Sequence, residues 1–155
     1  MPKVNMETLL PFIEEAFSRG LDFQIPITGT SMNPLLYQGR DFVFIEKPTF
    51  PLEIGDIPLY RRSDGAFVLH RVVDIKENGE YVMCGDNQFT LEYGITDKHI
   101  LAKMKCVLRD GQIIDESNKK YRKYIKRLPV RRFKKRVRNL LGRIYRKIFK
   151  KKTVN

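Results

Sequence analysis

The chain has 155 residues and a formal net charge of +12, a length that suits one domain with appendages and excludes two independent cores. No run reaches the ~18–20 apolar residues of a transmembrane helix, and the acidic residues near the N-terminus do not fit a signal peptide. Residues 119–155 hold 18 of the 30 Lys and Arg residues and no Asp or Glu, which leaves residues 1–118 with 12 basic and 18 acidic residues. A basic tail on an acidic body is typical of proteins that contact the phosphates of lipids or nucleic acids.

An amphipathic helix is predicted over residues 6–19, within an N-terminal segment bounded at residues 1–22. Its apolar residues recur at helical spacing: Leu9, Leu10, Ile13 and Phe17. Proline is tolerated in the first turn of a helix, so we expect the helix to begin near Pro11. Gly20 follows the pattern and is typical of a helix C-terminus.

Residues 23–116 are predicted to form the main domain, with short strands separated by turns. The apolar runs that predict strands are residues 23–27, 41–46, 57–60, 66–75, 80–84 and 100–108. Asp64-Gly65 and Asn78-Gly79 suit tight hairpin turns, because these residue types tolerate positive φ. Strands of this length and spacing favour a mainly β fold, a coiled antiparallel sheet or partial barrel, over alternating strands and helices.

The basic tail, residues 117–155, is predicted to contain two helices. The first covers about residues 118–128 and is interrupted by Pro129, and the second covers about residues 131–151. Apolar residues of the second helix recur every three or four positions: Phe133, Val137, Leu140, Leu141, Ile144, Tyr145, Ile148 and Phe149. The opposite face is almost entirely Lys and Arg, so this helix is both basic and amphipathic.

One serine lies in a turn with the properties that a nucleophile requires. Ser31 lies within residues 29–34, Gly-Thr-Ser-Met-Asn-Pro. Gly29 permits an unusual backbone angle, and Pro34 prevents a strand from continuing. An exposed turn of this kind lets a serine Oγ approach a carbonyl carbon beside backbone N–H donors. An ordinary turn serine has the same local sequence, so Ser31 alone does not establish a hydrolase.

A histidine and two carboxylates complete the groups that a serine hydrolase uses. If His70 shares a strand face with Val68 and Val72, its imidazole is partly buried and neutral at pH 7. Such an imidazole can act as a general base, although a structural core histidine has the same pattern. Asp86 and Glu92 are both able to reach this position.

The other chemically reactive residues predict no further site. His99 follows polar residues and is expected to be exposed. Cys84 and Cys106 each lie in an apolar run, so we expect buried free thiols in a reducing compartment. The two histidines and two cysteines lack the spacing of metal ligands, so no metal and no other cofactor is expected.

Five short motifs occur in the order and at the intervals found in a known superfamily. They are Thr30-Ser31-Met32-x-Pro34-Leu35, Gly39-x-Asp41, Gly55-Asp56-Ile57, His70-Arg71-Val72-Val73 and Gly85-Asp86-Asn87. Through these motifs, residues 23 to about 108 resemble the signal peptidase and LexA-type serine peptidase superfamily. The resemblance is closest to the endoplasmic-reticulum, archaeal and spore-type signal peptidases, whose base is a histidine rather than a lysine.

The resemblance implies a serine endopeptidase with a coiled β-sheet body and a polypeptide substrate. Ser31 would be the nucleophile and His70 the general base. The third group of this branch lies six residues after the Gly-Asp-Asn aspartate, which is Glu92 here, in place of Asp. Asp86 would hold the turn, and the reverse assignment of the two carboxylates stays open. Small side chains are expected beside the scissile bond, and the leader of a ribosomally made peptide would be a suitable substrate.

Residues around Ser31 would position the substrate and the oxyanion: Gly29, Thr30, Met32 and Pro34. The family often has a hydroxyl residue two positions before the nucleophile, where this chain has Gly29. The oxyanion hole would then depend on backbone N–H groups together with Thr28 or Thr30. Signal peptidases also carry a transmembrane anchor that this sequence does not predict, so we expect a substrate other than an export signal.

Three interpretations of the basic helix are open. The helix could pack on the body, lie in an anionic membrane surface, or contact nucleic acid. The membrane surface is favoured, with contacts by Phe133, Val137, Leu140, Leu141, Ile144, Ile148, Lys134 and Arg138. This interpretation predicts a cytoplasmic protein that is peripheral to the inner face of the membrane.

Two other functions are kept as alternatives. A peptidase fold without turnover could bind an extended peptide by strand addition. A LexA-like regulator could bind nucleic acid through the tail, although the sequence predicts no DNA-reading motif and has no lysine at the base position. The sequence does not predict the substrate or the oligomeric state.

Overall fold

The computed structural model describes residues 5–150, without the side chains of Arg132, Phe133, Lys135, Ile144 and residues 146–150. The described chain contains two long helices, α1 (Met6–Ser18) and α2 (Lys119–Lys150), and a short 3₁₀ helix, Asp97–His99. Its strands are β1 (Phe23–Pro26), β2 (Asp41–Glu46), β3 (Pro58–Arg61), β4 (Phe67–Leu69), β5 (Arg71–Ile75), β6 (Tyr81–Cys84), β7 (Glu92–Ile95), β8 (Ile100–Arg109) and β9 (Gln112–Ile114).

The strands of the described chain form two antiparallel sheets. The larger has the order β1-β2-β8-β3-β4, with β9 paired to β8, and the smaller has the order β5-β6-β7. Register shifts interrupt the pairing of β8 with both β2 and β3. Such irregularities increase the local twist of a sheet. The larger sheet is accordingly a strongly curled half barrel.

Two groups of buried apolar side chains fill the fold. One joins α1, the larger sheet and the turn after β1: Ile13, Ile25, Ile27, Met32, Leu35, Leu36, Val43, Ile45, Ile57, Leu59, Ala102 and Val107. The other lies against the smaller sheet: Leu52, Tyr60, Val72, Tyr81, Met83, Ile95 and Ile100. Burying one such side chain stabilises the fold by roughly 1.5–3 kcal/mol. Because the first group includes Met32, the turn that carries Ser31 is anchored in the core.

The N-terminal helix begins earlier than the sequence predicts. Asn5 caps α1, since its Oδ1 accepts a hydrogen bond from the Glu7 N–H at 3.0 Å. Pro11 therefore lies inside the helix rather than at its start, where it removes one N–H donor without ending the helix. The C-terminus has the predicted glycine, because Gly20 adopts a φ of +70° and the Leu21 N–H returns to the Ala16 carbonyl.

The prediction of a mainly β fold is confirmed, since the nine strands of the described chain form the body between α1 and α2. The glycines of both predicted hairpin turns have positive φ, 86° at Gly65 and 82° at Gly79. The predicted strand 66–75 divides into β4 and β5 at His70, because the chain passes there from the larger sheet to the smaller. The sequence predicts neither β7 nor β9, which are short and largely exposed.

The predicted interruption of the tail at Pro129 is wrong. α2 runs through this proline, which is exposed. The loss of one N–H donor is outweighed here because the flanking residues are mostly Lys, Arg and Leu, which favour helix. Tyr121 and Tyr124 pack against the core, and Leu128 is buried.

No helix in the described part of the chain has the length and apolar character needed to cross a bilayer.

Candidate active site

Ser31 lies half-buried in the segment between β1 and β2. Gly29 has a φ of +76°, and its N–H donates a hydrogen bond to Gln38 Oε1 at 2.8 Å. Met32, the next residue after Ser31, is buried in the core. The turn is therefore held from both sides.

The Gly85-Asp86-Asn87 turn holds the backbone of the Ser31 turn in place. The Asn87 N–H donates to the Ser31 carbonyl at 2.7 Å, and Asn87 Nδ2 donates to the Thr30 carbonyl at 3.0 Å. A Cβ atom at Gly85 would lie 2.7 Å from the Ser31 carbonyl oxygen and 3.1 Å from His70 Nε2. Gly85 therefore lies against both the serine turn and the histidine ring.

His70 lies at the junction of β4 and β5, with only 2% of its surface exposed. Its Nδ1 is 2.8 Å from Glu92 Oε1, on the first residue of β7. When Nδ1 carries the proton and donates a hydrogen bond to Glu92, Nε2 has a free lone pair, which can accept a proton. The predicted burial of the imidazole is confirmed.

Two residues that the sequence analysis missed also bind Glu92. The Tyr60 hydroxyl donates to Glu92 Oε2 at 2.8 Å, and the Arg62 guanidinium donates to both carboxylate oxygens, with Nε 2.7 Å from Oε2. The Asp64-Gly65 hairpin could have indicated that both lie near His70, because its register pairs Tyr60 with Val68, but it does not indicate the contact with Glu92. Tyr60, Arg62 and His70 consequently lie on the same face of the sheet.

The pKa values of this cluster follow from burial and from these contacts. Burial lowers the pKa of His70 below its ordinary value, Glu92 partly opposes that shift, and Arg62 reinforces it. Burial disfavours the ionised form of Glu92, but hydrogen bonds from Arg62 and Tyr60 outweigh it, so the pKa of Glu92 is lowered. At neutral pH the site therefore combines a neutral imidazole with an ionised carboxylate.

Asp86, the other carboxylate considered, contacts Arg71 instead of His70. Its two oxygens accept hydrogen bonds from Arg71 Nε at 2.9 Å and Nη2 at 2.7 Å, and the Tyr124 hydroxyl donates to it at 2.9 Å. Arg71 also donates to the Gly55 carbonyl at 2.8 Å. This buried ion pair joins the turn beside Ser31 to β5 and to α2.

A cleft of about 260 Å³ lies in front of Ser31 and His70, and both residues line it. Much of its wall is apolar, from Ile25 and Ile27 on one side to Phe67 and Leu69 on the other. Within the described residues, no hydrogen bond joins Ser31 to His70. In sites without substrate such bonds are often long and shorten only when substrate is bound. We call this space the apolar cleft.

The structure places only part of the predicted membrane set. Val137, Leu140 and Leu141 are exposed, the two leucines at 57% and 59%. The side chains of Phe133, Ile144 and Ile148 lie outside the described residues. The cations Lys134 and Arg138 are exposed and line a second cavity beside the Asn87 turn. The first turns of α2 therefore pack on the body, while apolar side chains farther along are uncovered in the described structure.

His99 and the two cysteines lie outside this site. His99 is half-buried rather than exposed, because it ends the 3₁₀ helix and its Nδ1 accepts a hydrogen bond from the Thr96 N–H at 3.1 Å. Cys84 is buried and Cys106 is half-buried. Among the described residues no group of His, Cys, Asp and Glu side chains is arranged to hold a metal ion.

Comparison with known proteins assigns no family. No protein-family model matches the chain. No curated protein matches it either.

Gly85→Ala is expected to lower activity and stability together. The new Cβ would lie 2.7 Å from a backbone oxygen, so the serine and histidine turns must separate, at a cost of about 1–3 kcal/mol. Gly142→Ala is the matched control, because a Cβ there meets nothing within 4 Å. Denaturant unfolding and peptide cleavage measure the two effects, and a Gly85→Ala protein with wild-type stability would contradict this packing argument.

Proposed function

We propose that this protein is a serine endopeptidase of the signal-peptidase type, with Ser31 as nucleophile, His70 as general base and Glu92 as the group that orients His70. The observation that carries the proposal is the placement of His70. It is buried, its Nδ1 contacts Glu92, and its Nε2 lies beside the Ser31 turn at the apolar cleft. A purely structural core histidine has no need of a cleft or an adjacent serine.

In this mechanism Ser31 Oγ attacks the carbonyl carbon of the scissile peptide while His70 Nε2 takes its proton. The imidazolium is stabilised by the carboxylate of Glu92. Collapse of the tetrahedral intermediate breaks the C–N bond, and His70 gives its proton to the leaving amine. Water then attacks the acyl-enzyme while His70 takes its proton, and cleavage of the bond to Ser31 Oγ releases the new carboxyl terminus as His70 returns that proton to Ser31 Oγ.

The oxyanion would be bound at the Ser31 turn. Gly29 provides no hydroxyl, and its N–H already donates to Gln38. Other candidate donors are the Ser31 N–H and the exposed hydroxyls of Thr28 and Thr30, of which Thr28 lines the cleft. Loss of one oxyanion donor typically costs ~10²–10³ in rate, so a modest turnover number is expected.

The experiment that tests the proposal compares peptide N-termini by mass spectrometry in cells that express wild type or Ser31→Ala. New N-termini found only with wild type identify a peptidase, its substrate and its cleavage preference at once. Identical profiles, with both proteins folded and equally abundant, contradict the proposal in those cells. The substrate obtained this way serves the kinetic measurements below.

The rate of cleavage should depend on pH through His70. Because burial lowers the pKa of His70, kcat/KM should be level near neutral pH and fall only in more acid solution. Glu92→Gln removes the charge that raises this pKa, so it should move the acid limb to still lower pH and lower kcat by up to about 10⁴-fold. An acid limb centred above neutral pH would contradict the assignment of a buried neutral base.

The same ionisation affects stability in a defined direction. The unfolded chain protonates His70 at its ordinary pKa, whereas the folded chain resists protonation. The contribution of His70 to the free energy of unfolding therefore has its full value above about pH 6.5, and it declines as the pH falls below that value.

The second part of the proposal is peripheral membrane association through the exposed apolar residues of α2, on the cytoplasmic side. Val137, Leu140 and Leu141 are uncovered in the described structure and lie on a helix that carries only positive charge. Helices of this kind lie in anionic lipid surfaces, with their apolar residues among the acyl chains.

Flotation with anionic phospholipid vesicles at low salt should recover the full chain. Leu140→Ser/Leu141→Ser should weaken vesicle binding by about tenfold or more. The control Phe12→Ser/Ile54→Ser changes two apolar residues of the body that are equally exposed, at 56% and 66%. Wild-type binding by the α2 variant, or no binding by any of the proteins, would contradict the membrane part and leave the peptidase part untouched.

A non-catalytic peptide-binding module is the second candidate function. The observations that favour it are Gly29 at the position where the family often has a hydroxyl, and the absence of a Ser31–His70 hydrogen bond in the described residues. Binding without turnover would give identical affinity for peptide in wild type and Ser31→Ala, with no new N-termini in either.

A further inference from the structure

A second cavity, about 390 Å³ in volume, adjoins the apolar cleft. Of the residues near Ser31 in the chain, Thr28, Gly29 and Met32 line the cleft, and Asn33 and Pro34 line the second cavity. Gln88 lines both spaces. An extended chain whose scissile carbonyl lies at Ser31 can therefore pass from the cleft into this cavity, which we call the basic groove.

The outer wall of the basic groove is made by three cations of α2. Arg131, Lys134 and Arg138 are spaced by three and four residues and so lie on one face of the helix. All three are exposed, and no ion pair in the described part of the chain includes any of them. The Arg131 guanidinium lies over the ring of Tyr124, 5.4 Å from its centroid, which directs it towards the body.

The groove has a surplus of positive charge. Asp86 is the acidic residue of its described lining, and both of its oxygens already bind Arg71. Three cations therefore face a wall made of amide, aromatic and proline side chains. A groove with this balance attracts carboxylates and repels cationic chains.

We propose that the basic groove binds an acidic segment of the polypeptide substrate, on the other side of the scissile bond from the residues in the apolar cleft. The inference rests on the proposed peptidase function and adds the charge of the substrate to it. A peptide suits the groove better than a lipid surface, because the cations face turns of the body across a cavity that a flat surface cannot enter. The substrate is then a newly synthesised polypeptide that has Asp or Glu residues beside a stretch of small residues.

Binding to the full chain carrying Ser31→Ala tests the groove without cleavage. The probes are two labelled peptides with the same small-residue half, followed by a run of Glu in one and a run of Gln in the other. Fluorescence anisotropy should show tighter binding of the Glu peptide by about three- to tenfold at low salt, and less at high salt. Lys134→Ala/Arg138→Ala should abolish this preference.

The matched control is Arg136→Ala/Arg143→Ala, which removes two exposed cations from the opposite face of the same helix. It should keep the preference for Glu. The inference is overturned if the protein with an unmodified groove binds the two peptides equally. It is also overturned if the control variant loses the preference for Glu as fully as the Lys134→Ala/Arg138→Ala variant does. Dependence of duplex DNA or anionic vesicle binding on Lys134 and Arg138, with no preference between the peptides, overturns it as well.

Cleavage of the two peptides by the wild-type protein tests this inference independently of the peptidase function on which it rests. A Glu preference in binding with no cleavage of either peptide supports the groove and contradicts the peptidase. Cleavage of both peptides at equal kcat/KM supports the peptidase and contradicts the groove. If the peptidase function and the binding role of the groove are both correct, the Glu peptide should have the lower KM with a similar kcat, because the groove lies away from the reacting atoms.

Discussion

Ser31→Ala is expected to lower kcat for peptide cleavage by at least about 10⁴-fold, because a methyl group can neither attack a carbonyl nor receive help from His70. The free energy of unfolding should change little. The Ser31 turn is held by Met32, which lies in the core, and by the hydrogen bond from the Asn87 N–H to the Ser31 carbonyl. Neither contact involves the Ser31 hydroxyl. Steady-state cleavage of the mapped substrate and denaturant unfolding measure the two quantities.

Ser63→Ala is the control for this substitution. Ser63 is an exposed serine in the turn between β3 and β4, so its loss should leave both kcat and stability unchanged. Retention of activity by Ser31→Ala would show that another group performs the attack, and the assignment of His70 as its base would fail with it.

Asp86→Ala should give the largest loss of stability, about 3–5 kcal/mol, because it leaves a buried guanidinium without its carboxylate. The side chain of Asp86 is completely buried and that of Arg71 is 4% exposed. The variant also removes the acceptor for the Tyr124 hydroxyl. Urea unfolding followed by circular dichroism measures the loss, and activity should fall with it since the Ser31 turn is held by the same loop.

A double variant distinguishes the cost of an unpaired charge from the value of the pair itself. Arg71→Met/Asp86→Leu removes both charges and should recover much of the lost stability. Glu15→Gln breaks the exposed ion pair with Arg19, whose side chains are 57% and 67% exposed, and should have little effect. If Asp86→Ala were no more harmful than Glu15→Gln, the ion pair would have no structural role.

The parts of the site that the sequence predicts are those encoded locally. β2 has its predicted bounds because a continuous run of four apolar residues lies between two acidic residues, which defines a mostly buried strand. The Ser31 turn is recognisable for the same reason, since glycine and proline constrain the backbone there. His70 was predicted to be partly buried from its apolar neighbours alone, and this is confirmed.

The parts that the sequence does not predict depend on contacts between distant segments. Glu92 meets Tyr60 and Arg62 across 30 or more residues of chain, so no local pattern indicates that they share a carboxylate. The choice between Glu92 and Asp86 as the neighbour of His70 likewise depends on which strand lies beside β6. Pro129 was assigned as an interruption from propensity alone, and the helix passes through it.

The hydrogen bond between Tyr124 and Asp86 limits how this chain can be divided or recombined. The sequence predicts a boundary between residues 116 and 117, yet Tyr124 of α2 contacts the turn that holds Ser31. A shortened protein that ends at residue 116 would lose the Tyr124 contact that supports the Asp86 turn, whereas one that ends shortly after Leu128 would keep that contact and lose the cations of the basic groove. A substituted tail must therefore retain Tyr124 to support this turn, and it must retain Arg131, Lys134 and Arg138 to keep the basic groove.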